Sequence, residues 1–343
     1  MRKILVMFVM AVVVAAAVFA AGCTGDGKDN AGSTGLKELN FGYQPSTHQI
    51  AYMTAMNKGW WEEVIEPYGY TTDPDKNEIQ FPTGAPEMQA MLAGEIDVAY
   101  VGAAPVISAL STGLEAKIVA AVQTQGSALV LQPDIEYNSP EDLKGLTIAT
   151  FPAGTIQDTI LREWLAENNI TVGEDTDAGE VDVLPMGPGD AITAMTAKQI
   201  DGTFLPSPSP TTLVEEGNGK IVVWSGTMKP NHPCCVLLVS DRLIEENPDL
   251  VTALVKTHIK ATGYNLANPD EAAHIYANYT KNTYEIASES IANWDGSWVS
   301  DPNLIVDGVM DYVSVQKELG YIDNTLTQDQ IFDLSFYEKA TSA

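Results

Sequence analysis

The chain has 343 residues, 45% hydrophobic and 19% charged, which is enough apolar material for two cored domains and too apolar for a disordered chain. Asp and Glu number 46 against 18 Lys and Arg, a net charge of −28, and the arginines are Arg2, Arg162 and Arg242 alone; this excludes a nucleic-acid binder, which needs clustered cations. Three cysteines exclude a disulfide framework and a Cys-rich zinc fold.

The first predicted element is an export signal at 1–22. Arg2 and Lys3 precede an unbroken apolar run over 4–21, which ends in Ala20-Ala21-Gly22-Cys23. Small residues before a cysteine predict cleavage and lipidation of Cys23. An uncleaved anchor is the alternative, since the run just reaches across a bilayer. Either way the chain is expected outside the cytoplasm, held by a lipid anchor on the outer face of the membrane or in a periplasm. Residues 23–35 form the lipidated cysteine and a Gly/Ser/Asp/Asn-rich flexible linker.

From Leu36 to about Gly226, strand and helix signals alternate. Strand-like runs fall at 39–43, 78–81, 97–101, 117–123, 128–131, 146–150, 181–184, 201–205 and 221–224. Between them lie helix-like segments, such as the face Ile50, Met53, Met56 and Trp60. The alternation predicts α/β with mostly parallel sheets. The chain also resembles itself. Residues 39–45 (LNFGYQP) align with 146–152 (LTIATFP), and 91–97 (MLAGEID) with 195–201 (MTAKQID). The shared order implies two similar lobes. After Gly226 come one more strand at 234–240 and helices announced by Asn247-Pro248, Asn268-Pro269 and Asp301-Pro302, each a capping side chain before proline. The expected fold is therefore α/β, with two doubly wound lobes joined by two crossovers, near 124–128 and 226–234, and extra C-terminal helices. Residues 36–125 begin lobe 1, 126–228 form lobe 2, and 229–343 return to lobe 1. Paired crossovers make a hinge over a cleft.

The motifs GYQPSTH (42–48), LAGEIDVA (92–99), GAAP (102–105), SPEDLKG (139–145) and NHPCC (231–235) resemble those of solute-binding proteins of ABC importers. The class is that for nitrate, sulfonate and taurine, which also includes binders of thiamine pyrimidine precursors. The resemblance spans roughly 36–320. It implies a type II periplasmic-binding fold, a small-molecule ligand between the lobes and docking on a membrane permease, with a monomer as the working form. A ligand-sensing or adhesion lipoprotein on the same scaffold is the alternative.

In doubly wound sheets, ligands sit at the carboxyl ends of strands, facing helix starts. Candidate contacts are Gln44, Ser46, Thr47 and His48; Gly102, Ala103 and Ala104; Gly154, Thr155, Ile156 and Gln157; Ser207, with Ser209 nearby; and Gln125 at the first crossover. The structural alternatives are helix capping, tight packing and a stiff Pro-Ser-Pro connector. Tyr43, Tyr100, Phe151 and Phe204 stand near strand ends as candidates for an aromatic wall or for core packing. Arg162, inside the helix after Thr155, is expected to point away. A pocket without arginine favours a singly charged, zwitterionic or neutral ligand. Cys234-Cys235 is open to two readings, a vicinal disulfide or two thiols, and His232 beside them is a further candidate contact. His48, His232, His258 and His274 lack metal-ligand spacing, and Asp73, Asp75 and Asn77 are followed by Glu78 where a calcium loop needs glycine. No catalytic motif, cofactor or metal is expected.

Overall fold

β-Branched and leucine-rich runs become strands in the computed structural model, which describes residues 35–342. In chain order they are β1 (Lys37–Glu38), β2 (Phe41–Tyr43), β3 (Tyr70–Thr71), β4 (Glu78–Gln80), β5 (Val98–Gly102), β6 (Ala116–Thr124), β7 (Ser127–Leu131), β8 (Thr147–Thr150), β9 (Asp182–Pro185), β10 (Gly202–Pro206), β11 (Lys220–Trp224), β12 (Pro233–Ser240) and β13 (Ser297–Trp298). The predicted signal at 1–22, lipidation at Cys23 and the tether up to residue 34 lie outside the described residues. Among the described residues, no helix is long and apolar enough to cross a membrane.

Two larger sheets form the two lobes, in the orders β13-β6-β12-β5-β2-β4 and β11-β7-β10-β8-β9. Their plans coincide. A parallel trio (β4-β2-β5 or β9-β8-β10) is followed by an antiparallel strand (β12 or β7), and that strand pairs antiparallel with the next (β6 or β11). The segments that align in the sequence occupy equivalent places: β2 and β8 lie within one aligned pair, and the other pair leads into β5 and β10. The expectation of mostly parallel sheets is corrected to mixed ones. The cause is the crossovers themselves: β7 directly follows β6, and β12 follows β11, and each enters its new sheet running the opposite way.

One large buried cluster runs through both lobes, and a smaller one belongs to the second alone. In the first lobe, β12 buries Val236, Leu237, Leu238 and Val239 completely, each contributing about 1.5–3 kcal/mol. Beside them lies an aromatic core: Phe41 stacks 5.2 Å from Trp61 and 5.5 Å from Tyr52, which lies 5.4 Å from Tyr100. In the second, Val130, Ala149, Phe151, Leu205 and Leu213 form a smaller cluster. The expected continuous face from Ile50 to Trp60 is broken at Gly59 (φ +70°), so the helix Ile50–Asn57 ends and Trp60–Ile65 begins anew. Both pack against the long helix Pro248–Ala267.

Pro248 and Pro269 do open helices, but Asn247 and Asn268 do not cap them. Their amides are spent on Tyr70 Oη (3.1 Å) and the Tyr264 carbonyl (2.9 Å). Asp301 does cap, accepting from Asn303 N at 2.9 Å.

One carboxylate ties the two crossovers together. Asp295 Oδ1 accepts from Gly126 N (2.8 Å) and Oδ2 from Gly226 N (2.6 Å). Gly126 must be glycine: its φ is +82°, and a Cβ there would lie 2.6 Å from Gln123 Nε2 and 2.8 Å from His48 Nε2.

Candidate functional site

The parallel strands of both sheets deliver their carboxyl ends to one narrow cavity. From the first lobe it is lined by Gln44, Ser46 and His48 after β2, Gly84 and Gly102 at helix starts, Pro105, and Cys234 and Cys235 on β12. From the second come Phe151, Thr155, Ile156, Gln157 and Pro206. The facing walls touch: a Cβ on Gly102 would sit 3.2 Å from Ile156 Cγ1.

Seven of the sequence-derived candidates thus share this cavity: Gln44, Ser46, His48, Gly102, Thr155, Ile156 and Gln157. The others are placed around it. Gln125 is spent on the crossovers, its Nε2 donating to the Asp295 carbonyl (2.5 Å) and its Oε1 accepting from Asn231 N (2.7 Å). Thr47 N donates to the Ser207 carbonyl (3.2 Å) across the lobes, and the Thr47 carbonyl accepts from Trp298 Nε1 (2.9 Å). Ala103 and Ala104 are fully buried in the first turn of their helix. Gly154 lines an adjoining groove with Ser108 and Thr112, and Ser207 and Ser209 line a neighbouring hollow with Pro45 and Pro188. Of the four aromatic candidates, Phe151 lines the cavity, while Tyr43, Tyr100 and Phe204 are fully buried in the cores. His232 is buried, with Nδ1 against the Pro233 carbonyl (3.1 Å) and Tyr312 Oη (3.1 Å), and burial lowers its pKa to about 4.

Gly84, Pro105, Pro206 and the two cysteines were not predicted as contacts. A signal for Gly84 is present: FPTG at 81–84 echoes FPAG at 151–154, each a strand end opening a helix. Nothing comparable marks the cysteines, because consecutive strand residues ordinarily face opposite ways.

The site is polar without cationic side chains. No Lys or Arg is among its described lining residues. Arg162 Nε is held by Asp158 (2.7 Å), and Lys229 Nζ by Glu163 (2.8 Å) and Asp311 (2.5 Å). Positive potential comes instead from the starts of the helices Gly84–Leu92, Ala103–Ser111 and Ile156–Glu167. Most amide side chains are tied down: Gln44 Nε2 donates to Glu87 Oε2 (2.8 Å) and Gln157 Nε2 to Ser127 Oγ (3.0 Å). Full burial pushes the Glu87 carboxyl well above the usual carboxylate range, which disfavours a negative charge beneath the cavity. At the cavity floor, donor atoms of His48, Cys234 and Cys235 lie within 4.8 Å of one another. Hydrogen bonding between the two thiols lowers the pKa of Cys235 and raises that of Cys234, and His48 adds to the lowering at Cys235.

This fold recurs in known proteins. A Bacillus subtilis (strain 168) protein named for aliphatic sulfonate binding is 24% identical over 99% of this chain and 97% of that one. The taurine-binding periplasmic protein of Escherichia coli (strain K12) is 27% identical over 68% of this chain and 71% of that one. Among solved structures, the alkanesulfonate-binding protein SsuA from Xanthomonas axonopodis pv. citri, bound to MOPS, superimposes with a TM-score of 0.75 at 16% identity, over 88% of this chain and 99% of that one; it shares the fold. These relatives are named as binding proteins. The model of the NMT1-like family matches residues 32–279. With well over half of its residues inside that span, the chain belongs to the NMT1-like family.

Proposed function

We propose that this chain is the extracytoplasmic solute-binding component of an ABC importer, closing its two lobes on a small solute and presenting it to a membrane permease. The observation that carries the reading is the convergence of strand ends and helix starts from both sheets on one cavity. Bound solute ties the lobes together and shifts an open–closed equilibrium toward the closed form. The solute is a small sulfonate, nitrate-like or taurine-like molecule. Relatives named for aliphatic sulfonates and taurine support this class. So does the chemistry of the site, since each of its helix starts favours an anionic oxygen by about 0.3–1 kcal/mol when exposed and up to about 2 when partly buried. The proposed contacts are Gln44, Ser46, His48, Gly102, Thr155, Ile156 and Gln157.

Capture without turnover fits relatives that are named as binding proteins and cavity amides that are tied to the protein, Gln44 to Glu87 and Gln157 to Ser127. In this reading 36–125 and 229–343 make one lobe and 126–228 the other. A lipidated Cys23 holds the monomer at the outer face of the membrane. Isothermal titration against alkanesulfonates, taurine, nitrate and pyrimidines tests the reading. One class is expected to give a 1:1 isotherm with the solute recovered unchanged by mass spectrometry. Silence across the panel and across cell extract, or chemical conversion of a panel member, contradicts it.

A further inference from the structure

Cys234 and Cys235 are neighbours on β12 and would ordinarily point to opposite faces of the sheet. Register shifts on both sides of Cys235 in the ladder with β6 bring them to the same side. Their Sγ atoms lie 3.9 Å apart. His48 Nδ1 lies 3.3 Å from Cys234 Sγ and 4.0 Å from Cys235 Sγ. All three residues are buried, and all three line the cleft. A tetrahedral zinc ion, with bonds of about 2.3 Å to sulfur and about 2.0–2.1 Å to nitrogen, sets ligand edges of about 3.8 Å between sulfurs and about 3.6 Å from sulfur to nitrogen. The observed triangle has nearly those edges.

The surroundings orient the imidazole for this role. His48 Nε2 lies 2.9 Å from the Gly126 carbonyl. That carbonyl accepts a hydrogen bond from Nε2–H, so the proton stays on Nε2 and the Nδ1 lone pair faces the two sulfurs. Gln49 Nε2 donates to Cys235 Sγ at 3.6 Å, an outer hydrogen bond of the kind that orients metal thiolates. No carboxylate belongs to the cluster, so its donors suit soft ions and not magnesium or calcium.

The geometry points to a binding site for a thiophilic d¹⁰ ion, zinc(II) or copper(I), on Cys234, Cys235 and His48, with a further coordination position open to the cleft. Three protein ligands leave room in a tetrahedral ion for one donor atom from outside. That donor is an oxygen or nitrogen of the captured solute. This last step rests on the proposed solute binding; the three protein ligands do not.

The test uses the full chain, reduced and stripped with a chelator under anaerobic conditions. Cobalt(II) serves as the spectroscopic probe for zinc, and copper(I) is added against a competing chelator. One equivalent of cobalt is expected to raise a near-ultraviolet thiolate-to-metal charge-transfer band that zinc abolishes, or copper(I) alone is expected to bind one per chain by native mass spectrometry. Cys235→Ser removes the band, Cys23→Ser keeps it, and His48→Gln weakens binding about 10–100-fold. Thermal melting by circular dichroism confirms that the variants fold. A reduced wild-type chain with neither band nor mass shift overturns the inference, as does undiminished binding by the Cys234→Ser/Cys235→Ser double variant. Solute titration is scored separately, so failure of either reading leaves the other visible.

Discussion

The two lobes share one strand plan but contribute differently to the cleft. The first supplies side-chain donors: Gln44, Ser46, His48, Cys234 and Cys235. The second supplies a wall, Phe151, Ile156 and Pro206, with the helix start at Thr155 and the tethered Gln157. The first lobe is also built on the larger aromatic core, reinforced by a buried polar chain in which Tyr100 Oη meets His258 Nδ1 (3.0 Å) and His258 Nε2 donates to the Ala121 carbonyl (2.7 Å). A repeated topology therefore does not imply a symmetric site. One half lines the cavity mainly with polar side chains, and the other faces it mainly with an apolar wall.

The largest expected effect strikes what joins the halves. Asp295→Ala removes the acceptor for Gly126 N and Gly226 N together. At about 1.5–3 kcal/mol for each hydrogen bond to a charged group, the loss of two is about 3–6 kcal/mol, read as a lower urea midpoint. Asp295→Asn, which keeps one acceptor, should lose less. An unchanged midpoint in the alanine variant would remove the latch from the account.

Next is the buried histidine of the first lobe. Burial lowers the folded-state pKa of His258 from 6.5 to about 4. As pH falls through 6.5 the unfolded chain takes up this proton while the folded chain does not, so this group lowers stability between pH 6.5 and 4 and has no effect above. The loss approaches about 3 kcal/mol at pH 4. His258→Gln is expected to flatten the stability slope in that window by up to one proton. Parallel slopes for variant and wild type would show that His258 is not held neutral.

Sharpening the contrast at the cleft, Ile156→Trp fills the cavity from the second lobe. Solute affinity should fall about 100-fold, equivalent to about 2.7 kcal/mol, with little change in melting temperature. Equal affinity would mean that the second lobe does not meet the solute. The smallest effect is expected at Thr155→Ala. Thr155 Oγ1 accepts from Asp158 N at 3.4 Å and donates to the Pro152 carbonyl at 2.8 Å. The lost cap costs about 1 kcal/mol of stability, and affinity shifts by less than tenfold.

What the sequence displays is the framework. Strand runs, the proline-marked loops after β2 and β8, and the paired Ile-Asp turns before β5 and β10 are local patterns, and each falls at its matching place in the two sheets. Cavity-lining residues at helix starts were legible for the same reason, since a strand end followed by small residues marks a cavity-facing turn. Gln125 and Ser207 went elsewhere because their fate depends on partners distant in sequence: Asp295 and Asn231 claim Gln125, and the Ser207 carbonyl accepts from Thr47. The cysteines were illegible because their convergence arises from register shifts in a ladder between strands more than a hundred residues apart. The Asn-Pro pairs misled in detail, since proline fixed the helix starts while a tertiary partner, Tyr70, took the Asn247 amide and the preceding helix's Tyr264 carbonyl took that of Asn268.

The central claim, that both lobes grip one small solute, is tested most directly by native mass spectrometry of freshly purified protein before and after incubation with the solute panel. The account predicts a single small-molecule adduct in the wild type, lost or sharply reduced in Ile156→Trp. A bare wild-type mass throughout, or an adduct equally retained by Ile156→Trp, contradicts it.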